Sequence, residues 1–311
     1  MDAAVETFAS DTIATSPAEK VAALSSLPAR FSIAATSAMP ASMPFLAPFS
    51  LTGISLGGIW RSAADTQIAE NGSGQLTGSV IASSYRQLNS STTVWGHADF
   101  TAGKLRGITW SNSADYSVVG PYVFGDSVGG DLVRRQYTFS GGYAGRKNGW
   151  TWGIEADYRA CLDYRARDPR DKIVVSDLNG KLSASRRIGS FPLAIGLGGA
   201  IRVYNQTASV EFYNPLTDIT MYMMTGLGTT YKRFSGNSGK SIAHTGFGWN
   251  VTASLFQIAG VPDRFYLNLD GGNIHLRQFL RDFNNLELTF TDTFSGNLHA
   301  GFLLNTDGDA S

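Results

Sequence analysis

Cysteine is nearly absent: Cys161 is the only one in 311 residues. No intrachain disulfide framework or thiolate metal site can come from it, and no local motif marks it as a nucleophile. Charge is scarce as well. Charged residues make up 16% of the chain, against a usual ~25%. Lys+Arg and Asp+Glu stand at 25 each, so the basic surplus of a nucleic-acid binder is missing. There is also no apolar run of the roughly 18 or more residues that a membrane-spanning helix needs. A secretory signal is missing too. Met1–Arg30 has Asp2 and Glu6 where Lys or Arg would stand, and it lacks an apolar core of roughly 7–15 residues. The remainder nevertheless reads as exported, so the expectation is a secreted chain whose signal peptide is absent from this sequence.

What is abundant is glycine, with 35 residues, and aromatic side chains at 12%. Disordered chains are poor in aromatics and rich in net charge, so this composition points to a β protein with one large sheet domain. The first 50 residues differ from the rest. Ser16-Pro17-Ala18-Glu19 combines a capping Ser, a Pro at the first helical position and a Glu at the third. It predicts a short helix over Pro17–Ser26. Pro40, Pro44 and Pro48 then argue against regular structure, and residues 1–50 read as a partly helical or disordered lead-in.

From Leu51 the dominant period is two. Along Trp150–Tyr164 the even positions are Trp150, Trp152, Ile154, Ala156, Tyr158, Ala160, Leu162 and Tyr164, none charged. The odd positions carry Glu155, Asp157, Arg159 and Asp163. Alternate side chains of a strand point to opposite faces, so one face is apolar and the other charged. At ~3.3 Å per residue and a tilt near 40°, such a strand rises roughly 38 Å, whereas globular strands usually have about 5–6 residues. Arg135–Arg146, Ile173–Ile188, Phe191–Val203, His244–Leu255 and Phe265–Asp270 repeat the alternation. Asn148-Gly149 is a type I′ hairpin signal and Gly189-Ser190 a second short turn. Ser113–Val133 and Thr207–Ser241 are long, irregular connections. Short turns on one side and long loops on the other are the habit of outer-membrane barrels. Ten to twelve strands are predicted between Leu51 and Leu303. Trp150 and Trp152 at one end of their strand and Tyr164 at the other fit lipid-interface aromatic girdles. A secreted β-sandwich, acting as a binding module, is the competing architecture.

Ser84-Tyr85-Arg86, Val94-Trp95-Gly96, Ser113-Ala114-Asp115-Tyr116 and Pro121-Tyr122-Val123 open an ordered set of short motifs. Asp126 to Leu132, Tyr137 to Tyr143, Trp150-Thr151-Trp152-Gly153 and Glu155 to Arg159 continue it, followed by Asp168-Pro169-Arg170, Phe212-Tyr213-Asn214 and Thr225-Gly226-Leu227-Gly228. As a set this resembles an uncharacterised family of Bacteroidota outer-membrane β-barrel proteins. The resemblance implies a bacterial outer-membrane barrel and carries no activity with it. Members of that family are longer and begin with a signal peptide, and such barrels commonly end on an aromatic strand, whereas 305–311 is a polar tail. The resemblance therefore implies a truncated member whose wall lacks strands needed for closure. An open edge in lipid would leave backbone groups unpaired.

Among candidate chemistry, Asp126, Gly129, Gly130 and Asp131 form a Gly-turned acidic segment that lacks the regular acid spacing of a Ca²⁺ loop. It reads as a plug loop folding back over the lumen, with glycine supplying positive φ. Glu155, Asp157, Arg159 and Asp163, with Arg165 continuing the row, read as lumen-facing charges paired with neighbours such as Lys181 and Arg202. Acid–base catalysis by two carboxylates is the alternative. His97, His244, His275 and His299 have no metal-ligand spacing, and no nucleophile motif is present. Gly196-Leu197-Gly198-Gly199 lies within a strand and reads as close packing.

The expectation is thus an all-β transmembrane antiparallel up-and-down β-barrel over 51–304, open to being incomplete, between a lead-in at 1–50 and a tail at 305–311. It is a non-enzyme without cofactor or metal, partnered by outer-membrane lipid and small solutes, with porin-like passage or a structural and surface role. An outer-membrane barrel enzyme of lipolytic or proteolytic type is the alternative.

Overall fold

The computed structural model describes residues 39–45, 50–64, 68–189, 192–214, 216, 218–257 and 264–303. The expected helix over Pro17–Ser26, the side chain of Phe191 and the tail at 305–311 lie outside these. Ten long strands form one sheet: β1 Leu51–Ser62, β2 Gly74–Asn89, β3 Thr92–Ile108, β5 Gly130–Lys147, β6 Trp150–Tyr164, β7 Arg170–Arg187, β8 Leu193–Glu211, β11 Lys240–Gln257, β12 Arg264–Leu280 and β13 Leu286–Leu303. They are hydrogen-bonded in that order, and every neighbouring pair is antiparallel. Three short strands, β4 Phe124–Gly125, β9 Tyr222–Gly226 and β10 Thr229–Thr230, make a separate small sheet. Among the described residues no pairing joins β1 to β13, so the sheet is an open section of wall.

The up-and-down order puts Asn89, Thr92, Lys147, Trp150, Arg187, Leu193, Gln257 and Arg264 at a short-turn end. Ser62, Gly74, Ile108, Gly130, Tyr164, Arg170, Glu211, Lys240, Leu280 and Leu286 stand at a long-loop end. Asn148 and Gly149 both have positive φ (53° and 76°), as a type I′ turn requires. Two expectations are corrected. The connection expected over Thr207–Ser241 is shorter, because β8 runs to Glu211 and β11 starts at Lys240, and it contains β9 and β10. The proline-bearing lead-in is also not irregular throughout. Pro40–Phe45 winds as a 3-10 helix with Pro44 inside it, since proline's fixed φ is compatible with a short 3-10 turn.

Alternation fixes which face is which. On β6 the even residues from Trp150 to Tyr158 are exposed and Ala160, Leu162 and Tyr164 half-buried, while Thr151, Gly153, Cys161 and Asp163 are buried. The apolar face is therefore the bare one, the reverse of a water-soluble core. Leu178, Leu182, Leu197, Trp249 and Phe294 share this convex face, and Leu182 and Leu197 are each 63% exposed. On β7 the outward residues between Lys172 and Arg186 are Val174, Ser176, Leu178, Gly180, Leu182 and Ala184, an uncharged stretch roughly 35 Å tall at a 40° tilt. Trp150 and Trp152 lie outward at the short-turn end and Tyr164 outward at the long-loop end.

The sheet is strongly curled. Met39, Ala194 and Phe256 cluster with Phe45 and Tyr266, while the Tyr85 hydroxyl donates to the Met43 carbonyl at 2.9 Å. Phe45 and Phe256 rings lie 5.6 Å apart, so one six-residue 3-10 turn, about 12 Å long, meets β2 and β11, which lie six inter-strand steps or roughly 29 Å apart along the wall. Only a trough allows that.

Candidate functional site in the concave face

Cross-strand register brings the inward charges together in rows. Trp95, Gly142, Glu155 and Lys181 stand side by side on β3, β5, β6 and β7. A Cβ on Gly142 would lie 2.1 Å from the Trp95 ring, so glycine is what lets the indole cross β5. Its N–H then donates to Glu155 Oε2 at 2.7 Å. Lys181 Nζ is 2.6 Å from Glu155 and 3.0 Å from Asp157. In the next rows Asp157 faces Asn179 and Arg159 faces Asp177. Arg159 donates to Asp177 at 3.2 Å, and Arg202 is bidentate to the same carboxylate at 2.8 Å on each arm. Glu155, Asp157, Arg159, Lys181 and Arg202 thus form one lattice. Asp163 lies apart from it, fully buried, and is held by Arg134 at 2.5 Å.

Parts of residues 109–129 and 218–236 fold into the trough at the long-loop end. There Phe124, Met221 and Met223 pack on wall residues Leu132, Ile173, Val210, Ile242 and Leu280. The docking is polar at its deepest point. Asp115, at the start of the short helix α1 (Tyr116–Val119), receives Arg159 at 2.5 and 3.0 Å and the Tyr204 hydroxyl at 2.9 Å. Gln206 Oε1 accepts the N–H groups of Ala114 and Asp115 at 3.2 and 3.3 Å. A second clamp centres on buried Arg165, which donates to Asp126 at 3.0 Å, to the Gly129 carbonyl at 2.6 Å and to Asp171. Asp126 also accepts the Gly129 N–H at 2.6 Å, and Gly129 has φ 61°. Asp126 and Gly129 thus lie in the segment folded into the trough, whereas Gly130 and Asp131 begin β5 and alternation turns Asp131 to the exposed outward side.

Above the wall, Asp168 accepts N–H groups from Tyr213 (2.9 and 3.0 Å) and Asn214 (3.0 Å). These backbone donors, with Arg170 alongside, hold its carboxyl below the ordinary range. Burial, and then Glu70, push the Tyr116 phenol up.

Between the plug and the Pro40–Phe45 turn lies a cavity of about 610 Å³. Asp157, Arg159, Asp177, Lys181 and Arg202 line one side and Asp270 the other. Asp270 accepts from Asn297 at 2.9 Å and Asn250 at 3.5 Å, and among the described residues it has no ion-pair partner. Counting the partners Asp115 and Glu155, five carboxylates face three cations around this space. Among the described residues no three His, Cys, Asp or Glu side chains gather as a metal-ligand set. His244 is buried against the Tyr122 carbonyl at 3.3 Å, and His275 pairs with Asp292 at 3.0 Å on the outward face.

The residues that sequence reasoning missed are Asp115, Tyr204, Gln206, Trp95 and Arg134. The hairpin at Asn148-Gly149 would have supplied one signal: it fixes the register of β5 on β6 and so pairs Arg134 with Asp163.

Solved structures similar in fold include the ferric citrate transporter FecA in its unliganded form, 13% identical with TM-score 0.43, covering 82% of this chain and 37% of that one. The ferric-catecholate import receptor Fiu from E. coli K12 is 8% identical with TM-score 0.41, covering 82% and 47%. BauA, the ferric preacinetobactin receptor from Acinetobacter baumannii, is 10% identical with TM-score 0.38, covering 82% and 41%. The chain spans less than half the length of each. No curated protein matches it. The family model that does match extends over residues 40–310, which takes in the whole described sheet, and the chain belongs to that family, the family of unknown function DUF6850.

Proposed function

We propose that the chain forms wall and plug of an outer-membrane β-barrel, with its convex face in lipid and its concave face lining a lumen that passes a small polar solute. One observation carries this reading. On β6 and β7 the convex side bears an uncharged, apolar and aromatic stretch that is exposed, while the charges within that stretch are gathered on the covered concave side. In water that arrangement would waste the apolar face. In a bilayer it is the required one, because lipid-facing strands alternate apolar-out and polar-in around an apolar band of about 25 Å. The Trp150–Trp152 pair and Tyr164 then sit at opposite interfaces, and the long loops face outward from the cell. A structural or surface role is the second reading, favoured by the filling of the trough at both ends.

The concave charges suit passage better than chemistry. Each lattice cation is held by carboxylates at 2.5–3.2 Å, whereas a general acid or base needs to change its charge near the working pH. Refolded protein is expected to show no hydrolysis of phospholipid, ester or peptide. The deciding experiment is planar-bilayer recording of protein folded into lipid. Discrete conductance steps with a reversal potential favouring cations are expected from five carboxylates facing three cations. A folded, inserted protein that gives no steps would overturn passage and leave the structural role.

A further inference from the structure

We propose that Met39–Phe45 is a stopper seated in the short-turn mouth of the lumen, and that solute crosses only when it leaves its cradle. This rests on the passage reading above. The cradle is cut to the segment. A Cβ on Gly153 would lie 2.6 Å from the Pro40 backbone, and one on Gly196 would lie 2.2 Å from the Met39 methyl. Ser183 Oγ accepts the Ala41 N–H at 2.8 Å, and Arg146 donates to the Pro44 carbonyl at 2.6 Å with its guanidinium 4.4 Å from the Phe45 ring. Met39 and Ala41 are buried, and Met39 and Pro40 floor the cavity.

The two ends of the lumen are closed by different chemistry. The plug at the long-loop end is pinned by ion pairs, Asp115 to Arg159 and Asp126 to Arg165. The segment at the short-turn end has hydrogen bonds, apolar packing and one cation–ring contact. It contributes no strand to the wall ladder, so it can leave without breaking a wall hydrogen bond. Among the described residues, Arg146 Nε is buried without a partner while the segment is seated. Departure would return that group to water, which offsets part of the lost contact. The weaker closure is the one that opens.

The test uses full-length protein in lipid vesicles and planar bilayers. Ala41→Cys, in a Cys161→Ser background, is expected to resist a water-soluble maleimide and to become reactive when Gly153→Val crowds the cradle. Conductance should rise several-fold with Gly153→Val, and also with Ser183→Ala plus Tyr85→Phe, which removes hydrogen bonds without adding bulk. An Ala41→Cys/Ser183→Cys pair should abolish conductance when oxidised and restore it on reduction. Equal maleimide reactivity with and without Gly153→Val would overturn the stopper, as would an oxidised pair that conducts like the parent. Labelling that follows the cradle while no variant conducts would overturn passage and leave the seating intact.

Discussion

Leu178→Arg places a charge near the middle of the uncharged outward stretch of β7. Leu178 lies six residues from Lys172 and eight from Arg186, so its axial distance to the two rims is roughly 15 and 20 Å at a 40° tilt. It is 46% exposed, points outward and faces Tyr158 and Val203 on the neighbouring strands. In lipid, Arg at the midplane of a barrel costs about 2–4 kcal/mol, falling to about 0–1 near the interfaces. Ala184→Arg, two residues from Arg186 and on the same face, is the matched control near the rim. Urea titration of both variants folded into lipid vesicles should separate them by about 2 kcal/mol or more. If the convex face met water, an exposed Leu replaced by Arg would fall within about 0.5 kcal/mol of the parent, with no dependence on depth. Equal midpoints for Leu178→Arg and Ala184→Arg would refute the assignment of this face to lipid.

Three further outcomes follow from the site. Asp115→Asn should loosen the long-loop plug, since Arg159 keeps Asp177 but the loop loses its charged clamp. A local opening cost of about 1–3 kcal/mol should appear as faster chymotrypsin cleavage at Tyr116, with the wall unaltered. The Asp168 carboxyl is depressed by N–H donors from Tyr213 and Asn214, so its hold on that loop is full above the ordinary carboxylate range and fades as pH falls through the depressed value. Amide exchange at Tyr213 and Asn214 should accelerate only in that acid window, and Asp168→Asn should flatten the profile. Cys161 is buried, with its Sγ 3.5 Å from Asp163, so it should stay unlabelled by maleimide in folded protein and react after unfolding. Reactivity in the folded state would mean that the plug does not cover β6.

The wall was legible because its signal is local. Period-two alternation along Trp150–Tyr164 states which residues share a face without reference to any neighbour, and the structure keeps that assignment over the whole strand. The same holds for β11, where Phe247, Trp249 and Val251 are exposed opposite Gly246, Gly248 and Asn250. Loop ends were less legible. Asp131 follows two glycines and looks like part of a turn, yet strand pairing with β3 begins at Gly130. The ladder takes Asp131 outward, because a backbone N–H and C=O paired in a sheet outweigh local turn chemistry.

A plug loop was legible at Asp126 and Gly129, but the contacts that seat the plug and the stopper were not, and the reason is physical. Asp115 meets Arg159 across 44 residues and Ala41 meets Ser183 across 142, and neither contact leaves a periodic trace. Asp115 and Ser113 resemble ordinary loop residues that cap their own backbone, as Ser113 does with the Asp115 N–H at 3.1 Å. What makes them specific is the wall behind them. Gln206 and Tyr204 sit on the inward side of β8 only because Tyr204 is in register with Asp177 and Gly246. Glycines on the concave side carry the same lesson in reverse. Gly153, Gly196 and Gly198 alternate with apolar residues and look like gaps in a polar face, but the gaps at Gly153 and Gly196 are filled by Pro40 and Met39. A small residue on an inward face is therefore where a second layer approaches. Had Gly153 been Thr, like its neighbour Thr151, the mouth at the short-turn end would stand open.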